Sequence, residues 1–314
     1  MKAYRQIRPS RPALRYHGGK YRLAPWIVSH LPAHRIYAEP YCGAASVLLS
    51  KPRSFAEVIN DLDGSIAGLF RVLRDPAAAE ELARVVRLTP FSRQEFEAAF
   101  VLADKGNVVE EARRLLVRSW MGFSANGATA KSCKIGFSGR LDRTAKHKRA
   151  DGAVAGEERQ RCCAGLPATA FHSFTTPAHD WARWPDVIPA ITARMQGVCI
   201  EQRPALHVLR QMDGFDALFY ADPPYVKSTR ADERDDYRFE MTDTDHVALS
   251  EVLHDLKGMV VLSGYDSPLY DALYGGWHKV TKAVFADRAK ARTECLWLNA
   301  AACAGQMQGV MEMK

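Results

Sequence analysis

The chain has 314 residues, of which 47% are hydrophobic and 25% are charged. These are ordinary globular values, and they exclude a disordered, collagen-like or coiled-coil protein. Lys and Arg number 43 against 36 Asp and Glu, and the resulting net charge of +7 modestly favours a polyanionic partner. No apolar run approaches the roughly 20 residues of a membrane-spanning helix, and the basic N-terminal residues lack the apolar stretch of a signal peptide. We therefore expect a cytoplasmic protein.

The cysteine pattern indicates reduced thiols. The seven cysteines are odd in number, form no C-x-x-C pair and include two adjacent residues, Cys162 and Cys163. A disulfide framework or a structural zinc site needs paired cysteines at regular spacing. The histidines also lack metal-ligand spacing, so we expect no metal.

Two strands, each followed by a helix, are predicted near the start of the chain. Residues 35–47, RIYAEPYCGAASV, predict a strand, a tight turn at Gly43 and the start of a helix that has Ser46 in its first turn. Residues 55–60, FAEVIN, predict a second strand, and an apolar helix follows it as far as Asp75 and Pro76. A strand–helix–strand–helix order is typical of a parallel, doubly wound sheet.

The middle of the chain differs in composition. Helical periodicity covers residues 77–88, 92–102 and 108–120, and a stretch rich in Gly, Ser, Lys and Arg follows from 121 to 163. Residues 131–163 contain nine Lys and Arg against four Asp and Glu. A long stretch without periodicity inside a compact domain is usually functional or disordered. We therefore predict a mostly helical, basic insertion.

Strand signals return after residue 185. Residues 197–201, 217–220 and 259–263 predict strands, and a helix is predicted over 243–256 with Thr242 as its cap. Residues 277–285 and 293–298 predict a hairpin that closes the chain. The fold predicted from these segments is an α/β sheet that the insertion interrupts.

A nucleoside site is indicated where the first two strands end. The segment Glu39 to Gly43 places a glycine turn at the carboxyl edge of the sheet, where ligands bind in such folds. Asp61 and Asp63 follow about 20 residues later, a spacing that suits hydrogen bonds to ribose hydroxyls. The G-x-G-x-x-G pattern is missing, so a nucleoside without phosphates fits better than a dinucleotide. A tight turn followed by two solvated carboxylates is the alternative.

The segment Asp222-Pro223-Pro224-Tyr225 is the most informative one for chemistry. Two consecutive prolines at the end of a strand fix the backbone and remove two N–H donors. The remaining acceptors, the Asp222 carboxylate and backbone carbonyls, suit a planar amine that has two N–H groups to donate. Tyr225 can offer a flat face on which a base stacks. A proline-terminated strand with a core tyrosine is the alternative interpretation.

Four segments together resemble the Dam-like (alpha-group) adenine-N6 DNA methyltransferases. They are RYHGGK at 15–20, AEPYCGAASVLL at 38–49, NDLD at 60–63 and DPPY at 222–225, in the order that this family has. The resemblance covers residues 14–75 and about 185–300, including RTECLWLN at 292–299. His17 and the glycine-poor turn Cys42 to Ala45 depart from the family pattern.

The resemblance implies a Rossmann-like, S-adenosylmethionine-dependent methyltransferase sheet over 1–75 and 185–314, with an inserted target-recognition domain over 76–184. It implies S-adenosylmethionine as the cofactor, double-stranded DNA as the substrate and a monomeric enzyme. The implied catalytic residues are those of the DPPY segment: Asp222, Pro223, Pro224 and Tyr225. The implied cofactor-binding residues come from the arm, the turn and the strand ends: Tyr16, Gly19, Lys20, Glu39, Pro40, Gly43, Asp61 and Asp222.

The insertion is expected to contact DNA, and its basic residues are the candidates for this role. Those named for base reading or phosphate contact are Asn126, Lys131, Lys134, Arg140, Arg143, Lys146, Lys148 and Arg149. Three alternative functions remain at this point. The enzyme could act on RNA, on cytosine N4 or on a protein glutamine; the chain could be a DNA-binding protein that kept the fold without activity; or it could be a dinucleotide-dependent oxidoreductase.

Overall fold

The computed structural model describes residues 9–101, 106–123, 127–130, 132–138, 176–230, 237–285 and 291–312. Seven strands form one sheet within this part of the chain. They are β1 (Ile36–Glu39), β2 (Ala56–Asn60), β3 (Val198–Glu201), β4 (Ala217–Ala221), β5 (Met259–Tyr265), β6 (His278–Phe285) and β7 (Ala291–Leu298). The helices are α1 (Ala24–Val28), α2 (Gly64–Arg74), α3 (Pro76–Leu88), α4 (Arg93–Ala98), α5 (Val108–Met121), α6 (Pro177–Arg183), α7 (Ile188–Met195), α8 (Ala205–Gln211), α9 (Asp243–Asp255), α10 (Pro268–Tyr274) and α11 (Ala300–Glu312).

The sheet has the order β3-β2-β1-β4-β5-β7-β6. The five strands β3, β2, β1, β4 and β5 pair with one another in parallel. Strand β7 runs antiparallel to both β5 and β6. Because the chain passes from β1 outward to β2 and β3 and then returns to β4, the strand order reverses between β1 and β4. Ligands bind outside the carboxyl ends of the strands at such a reversal. The predicted α/β class and the closing hairpin are both confirmed.

Local sequence explains most helix boundaries. Asp63 caps α2 by accepting a hydrogen bond from the Ser65 backbone N–H at 2.9 Å. Asp75 caps α3 in the same way, and Pro76 occupies the first helical turn, where a missing N–H costs nothing. Thr242 caps α9 with Asp245 as the reciprocal partner, as predicted for Thr242.

The helix expected to begin near Ser46 is not formed, and that prediction is wrong. Residues 46–50 form a series of turns. Ala45 has φ of +47°, a left-handed conformation that interrupts a right-handed helix. The Leu48 N–H donates to the Glu39 carboxylate at 2.6 Å and not to a backbone carbonyl one helical turn earlier.

The helix predicted over residues 92–102 is shorter in the structure. α4 ends at Ala98 after six residues, with Ser92 as its cap. The Arg114 guanidinium donates to the backbone carbonyls of Ala98 and Val101, at 3.3 and 2.5 Å. Because a side chain satisfies these carbonyls, no further helical turn is needed to do so.

The described helices of the predicted insertion share a hydrophobic core with the sheet domain. Leu73 on α2, Leu116 on α5 and Trp184 after α6 are fully buried in one cluster. The Trp181 indole N–H also donates to the Thr89 carbonyl at 2.8 Å, which joins α6 to the end of α3. The division at residues 76 and 184 therefore stays a prediction about function, since the packing is continuous across it. No helix in the described part of the chain is long and apolar enough to cross a membrane.

Candidate active site

A cavity of about 280 Å³ opens where the strand order reverses, beyond the carboxyl ends of β1 and β4. The arm before α1 forms one wall, and the turn after β1 and the end of β2 form the next. All the residues predicted to bind the cofactor line this cavity: Tyr16, Gly19, Lys20, Glu39, Pro40, Gly43, Asp61 and Asp222. Of the predicted catalytic residues, Asp222 and Pro224 line it, whereas Pro223 and Tyr225 are not among its lining residues.

The turn after β1 depends on Gly43 and Asp61. Gly43 has φ of +46°, and a Cβ at this position would lie 2.9 Å from Cδ1 of Tyr16. Asp61 accepts the Gly43 N–H with Oδ2 and the Asp63 N–H with Oδ1, each at 2.9 Å. Burial raises the pKa of Asp61 to about 6, although both backbone hydrogen bonds oppose the shift. Asp61 therefore holds the glycine turn in place, a role that the spacing of the sequence did not reveal.

Glu39 is a buried carboxylate with one occupied oxygen. Its Oε1 accepts hydrogen bonds from the Tyr37 hydroxyl and the Leu48 N–H, each at 2.6 Å. No described residue contacts Oε2, and the nearby Ser46 hydroxyl is buried without a hydrogen-bond partner among the described residues. Burial raises the pKa of Glu39 to about 7. Since buried polar groups normally find partners, these two side chains on the cavity wall are available to a polar ligand.

The Asp222 carboxylate is held through a single oxygen. Ser263 on β5 donates to Oδ1 at 2.8 Å, and the Lys20 ammonium lies 2.9 Å from the same atom. No described residue donates a hydrogen bond to Oδ2, and the Asp222 side chain is 17% exposed. Asp222 thus presents an acceptor to the cavity while its other oxygen is fixed by two donors.

Lys20 is shared between two carboxylates. Its ammonium lies 3.7 Å from Oε1 of Glu294 on β7 and donates to the Gly18 carbonyl at 2.8 Å. Burial disfavours the charge of Lys20, but the negative charges of Asp222 and Glu294 outweigh burial, so the pKa of Lys20 is raised. The arm is therefore fixed to the sheet by a charged contact.

Tyr225 is buried behind Asp222. Its hydroxyl donates to Oε1 of Glu294, and the Lys20 ammonium lies over its ring at 4.7 Å from the centroid. Tyr265 packs edge-on against the same ring, with centroids 4.7 Å apart. The stacking of a base on Tyr225 stays a prediction, and in this structure its ring contacts protein groups.

A segment after the DPPY strand end forms a further wall that sequence reasoning missed. Residues 237–241 all line the cavity, and residues 203–206 line its opposite side. Arg230 makes a two-pronged contact with Glu240, at 2.9 and 2.8 Å, and also donates to the Tyr225 carbonyl at 2.6 Å. Arg238 contacts Asp63 at 3.2 Å. These ion pairs tie the segment to both strand ends, and only a contact map reveals them.

Comparison with protein families gives a match that covers the first part of the chain. Residues 16–149 match the model of the family described as D12 class N6 adenine-specific DNA methyltransferase. The match covers somewhat less than half of the chain, and it agrees with the resemblance to adenine-N6 DNA methyltransferases. No curated protein matches the chain at a significant level.

This match supports a DNA adenine methyltransferase, a class of enzyme that acts on DNA. The matched residues include the arm, the cofactor turn and Asp61, and they end before β4. Asp222 lies outside the match, but the fold brings it to the cavity that the matched residues line. Among the residues that the structure describes, no group of His, Cys, Asp and Glu side chains is arranged to hold a metal ion.

The structure places only one of the predicted DNA-contacting residues of the methyltransferase. Lys134 is exposed and lies in a short 3-10 helix over Cys133–Ile135. The others lie outside the described residues: Asn126, Lys131, Arg140, Arg143, Lys146, Lys148 and Arg149. Their role in DNA binding stays a prediction.

Gly43→Ala should destabilise the methyltransferase. A left-handed backbone costs a non-glycine residue about 1–2 kcal/mol, and the new methyl group would also press on Tyr16. We expect the free energy of unfolding to fall by at least this amount in chemical denaturation.

The matched control is Gly68→Ala on α2, where a Cβ meets nothing within 4 Å. Alanine is a better helix former than glycine, so this control should gain about 0.5–1 kcal/mol. Equal effects of the two substitutions would show that the turn is not conformationally demanding.

Proposed function

We propose that the enzyme transfers a methyl group from S-adenosylmethionine to N6 of an adenine extruded from a specific double-stranded DNA sequence. The observation that carries this proposal is Asp222, which lines the same cavity as the predicted cofactor-binding residues and whose Oδ2 accepts no hydrogen bond from a described residue. The residues fit the cofactor, because the wall offers an unpartnered carboxylate oxygen of Glu39 and an orphan hydroxyl of Ser46. When bound, S-adenosylmethionine supplies an electrophilic methyl group on a positively charged sulfur.

Different parts of the cavity wall are proposed to hold different parts of the cofactor. Glu39, at the turn after β1, suits an ammonium group, since its second oxygen lacks a protein partner. Each carboxylate oxygen of Asp61 accepts one backbone N–H, and each has a second lone pair that can accept a hydrogen bond from a ribose hydroxyl. Tyr16 and Lys20 flank the methionine end. The ammonium of Lys20 is paired with Asp222, which fixes its position at this end of the cavity.

The target amine is proposed to donate its two N–H groups to Asp222 and to the backbone carbonyl of Pro223. The following residue, Pro224, has no N–H that would compete for these acceptors. Accepting both protons localises the nitrogen lone pair, which otherwise delocalises into the ring. The nitrogen would then take the methyl group that bound S-adenosylmethionine supplies, the donor would leave as a neutral thioether, and Asp222 would accept the proton that the nitrogen releases. Alignment of the two reacting groups supplies much of the rate.

An adenine inside a duplex cannot reach Asp222, so the base must be extruded at a cost of a few kcal/mol. We propose that the basic insertion at 76–184 offsets this cost through phosphate contacts, and that the enzyme acts as a monomer. Asn126, Lys131, Lys134, Arg140 and Arg143 are proposed for base reading, because side chains of these types match donor and acceptor patterns in the major groove.

Asp222→Ala should abolish methyl transfer and leave the dissociation constant of S-adenosylmethionine within a few-fold, because it removes the acceptor for the amine. Asp222→Asn should keep a little activity, since its amide oxygen can still accept. Transfer of labelled methyl groups to duplex DNA measures turnover, and calorimetry measures cofactor binding.

Nucleoside analysis of the product, with matched RNA as a control substrate, tests the target. N6-methyladenine in DNA alone supports the proposal. N4-methylcytosine or methylated RNA would contradict it, and cofactor binding without turnover on any DNA would indicate a non-catalytic DNA-binding protein. Equal losses of cofactor affinity and turnover in Asp222→Ala would contradict the role of Asp222.

Cofactor binding should strengthen as pH rises towards neutrality. The pKa of Glu39 is about 7, and only the ionised carboxylate attracts a cationic ligand. Ionisation rises from about one tenth at pH 6 to about three quarters at pH 7.5, so affinity should rise roughly fivefold to tenfold over this range. Glu39→Gln should bind more weakly and lose this part of the pH dependence. Identical pH profiles for the two proteins would exclude Glu39 as a ligand of the cation.

Neutralising the cluster Lys146, Lys148 and Arg149 should weaken binding to all duplexes alike. The slope of log affinity against log salt should fall by about one unit per phosphate contact removed. A salt titration of DNA binding by the triple alanine variant measures this slope. Arg35→Ala, outside the insertion, is the control, because its side chain is exposed and paired with Asp216. An unchanged slope in the triple variant would place the DNA footprint elsewhere.

A further inference from the structure

The Asp222 support is a set of five side chains that fixes the proposed amine acceptor: Tyr220, Ser263, Lys20, Glu294 and Tyr225. Ser263 and Lys20 contact Oδ1 of Asp222 directly. Tyr220 lies behind Ser263, with its hydroxyl 3.1 Å from the serine Oγ. Glu294 lies behind Lys20 at 3.7 Å and accepts the hydroxyl proton of Tyr225.

Counting protons gives these contacts a direction. Ser263 has one hydroxyl proton, which it donates to Asp222, so its oxygen accepts from the hydroxyl of Tyr220. Tyr225 likewise has one proton and gives it to Glu294, although its oxygen also lies 3.2 Å from Ser263. Two chains of hydrogen bonds and ion pairs therefore converge on Asp222 from β4, β5, β7 and the arm.

Both chains end on the same carboxylate oxygen. Oδ1 accepts the Ser263 hydroxyl and pairs with the Lys20 ammonium, whereas no described residue donates a hydrogen bond to Oδ2. A carboxylate held through one oxygen by two donors has little freedom to rotate, so the position of its other oxygen is set. Catalytic groups must be held within a fraction of an ångström of their productive geometry, and supporting hydrogen bonds do this.

We propose that Ser263 and Glu294 are positioning residues for methyl transfer, which orient the Asp222 carboxylate so that Oδ2 meets the target amine. This inference rests on the proposed function. Neither residue lines the cavity, so both act through other groups: Ser263 through Asp222 itself and Glu294 through Lys20 and Tyr225.

Glu294 also adjusts the strength of the acceptor. Two carboxylates share one ammonium, and Lys20, Glu294 and Asp222 are all largely buried. Because Glu294 takes part of the interaction with Lys20, Asp222 keeps negative charge to offer to the amine. Without the charge of Glu294, Lys20 would pair with Asp222 alone, and the carboxylate would become a weaker acceptor towards the substrate.

The test compares Glu294→Gln and Ser263→Ala with substitutions at other buried residues. Gln keeps the size and an oxygen acceptor for Tyr225, and Ala removes only the serine hydroxyl. We expect each to lower kcat about tenfold or more, because a hydrogen bond or ion pair to a charged group is lost. The dissociation constant of S-adenosylmethionine should stay within about threefold. Cys295→Ala, the buried neighbour of Glu294 on β7, and Ser250→Ala, a buried serine on α9, should keep kcat within about twofold.

A double-substitution cycle separates positioning from general damage. In an Asp222→Asn background the carboxylate that Lys20 and Ser263 hold is gone, so Glu294→Gln and Ser263→Ala should each cost much less than in the wild-type background. Additive losses would overturn the proposal, as would unchanged kcat in both single variants. Thermal unfolding is measured for each variant and its control. If both lower the unfolding midpoint equally and only the variant loses activity, the loss does not come from misfolding.

The wild-type protein is assayed first on duplex DNA. A wild-type enzyme without turnover overturns the proposed function, and the positioning roles fall with it. A wild-type enzyme that methylates adenine, combined with unaffected Glu294→Gln and Ser263→Ala variants, overturns the positioning roles and leaves the function standing.

Discussion

The ion pair between Lys20 and Asp222 is the contact on which the geometry of the site depends. A buried ammonium stays charged only when carboxylates lie close enough to offset the loss of water, and Asp222 and Glu294 meet this requirement. Lys20 precedes the first strand, Asp222 follows the fourth and Glu294 lies on the seventh. One charged contact thus joins three distant parts of the chain at the same edge of the sheet.

The opposite side of the cavity uses backbone groups in place of ions. Asp61 accepts two backbone N–H groups and so fixes the turn at Gly43, and the left-handed backbone at that glycine leaves room for the ring of Tyr16. The arm therefore contacts both sides of the strand-order reversal, through Tyr16 at β1 and through Lys20 at β4. Its sequence, RYHGGK, places the adjacent glycines Gly18 and Gly19, which permit close approach, between Tyr16 and Lys20.

Sequence reasoning succeeded where periodicity and local chemistry agree. Strand β4 is apolar and ends immediately before Asp222, and Thr242 is a recognisable cap of α9. The sequence therefore predicted this strand and this helix closely. Sequence reasoning failed at Ser46 because the Glu39 carboxylate accepts the N–H of Leu48, nine residues later, and no local pattern predicts that contact.

Partners that meet only through the topology were also missed. Ser263 and Glu294 are polar residues inside apolar strands, at positions 0% and 2% exposed. That placement is itself a signal, since a buried polar group needs a partner. The partner cannot be named until the strand order is known: β5 lies beside β4, and β7 lies beside β5. The motif DPPY identified the acceptor, whereas its supporting groups required the sheet.

The buried carboxylates of the cavity wall link the stability of the folded protein to the binding of a cationic ligand. Burial raises the pKa of Glu39 to about 7 and that of Asp61 to about 6, so the native chain binds more protons than the unfolded chain at mildly acidic pH. Where the native state holds the extra protons, stability falls as pH rises. At neutral pH the ionisation of these buried carboxylates therefore lowers the stability of the folded protein. A positively charged sulfonium and ammonium would compensate for this loss, and under the proposed function the energy lost in folding the site is recovered when the cofactor binds.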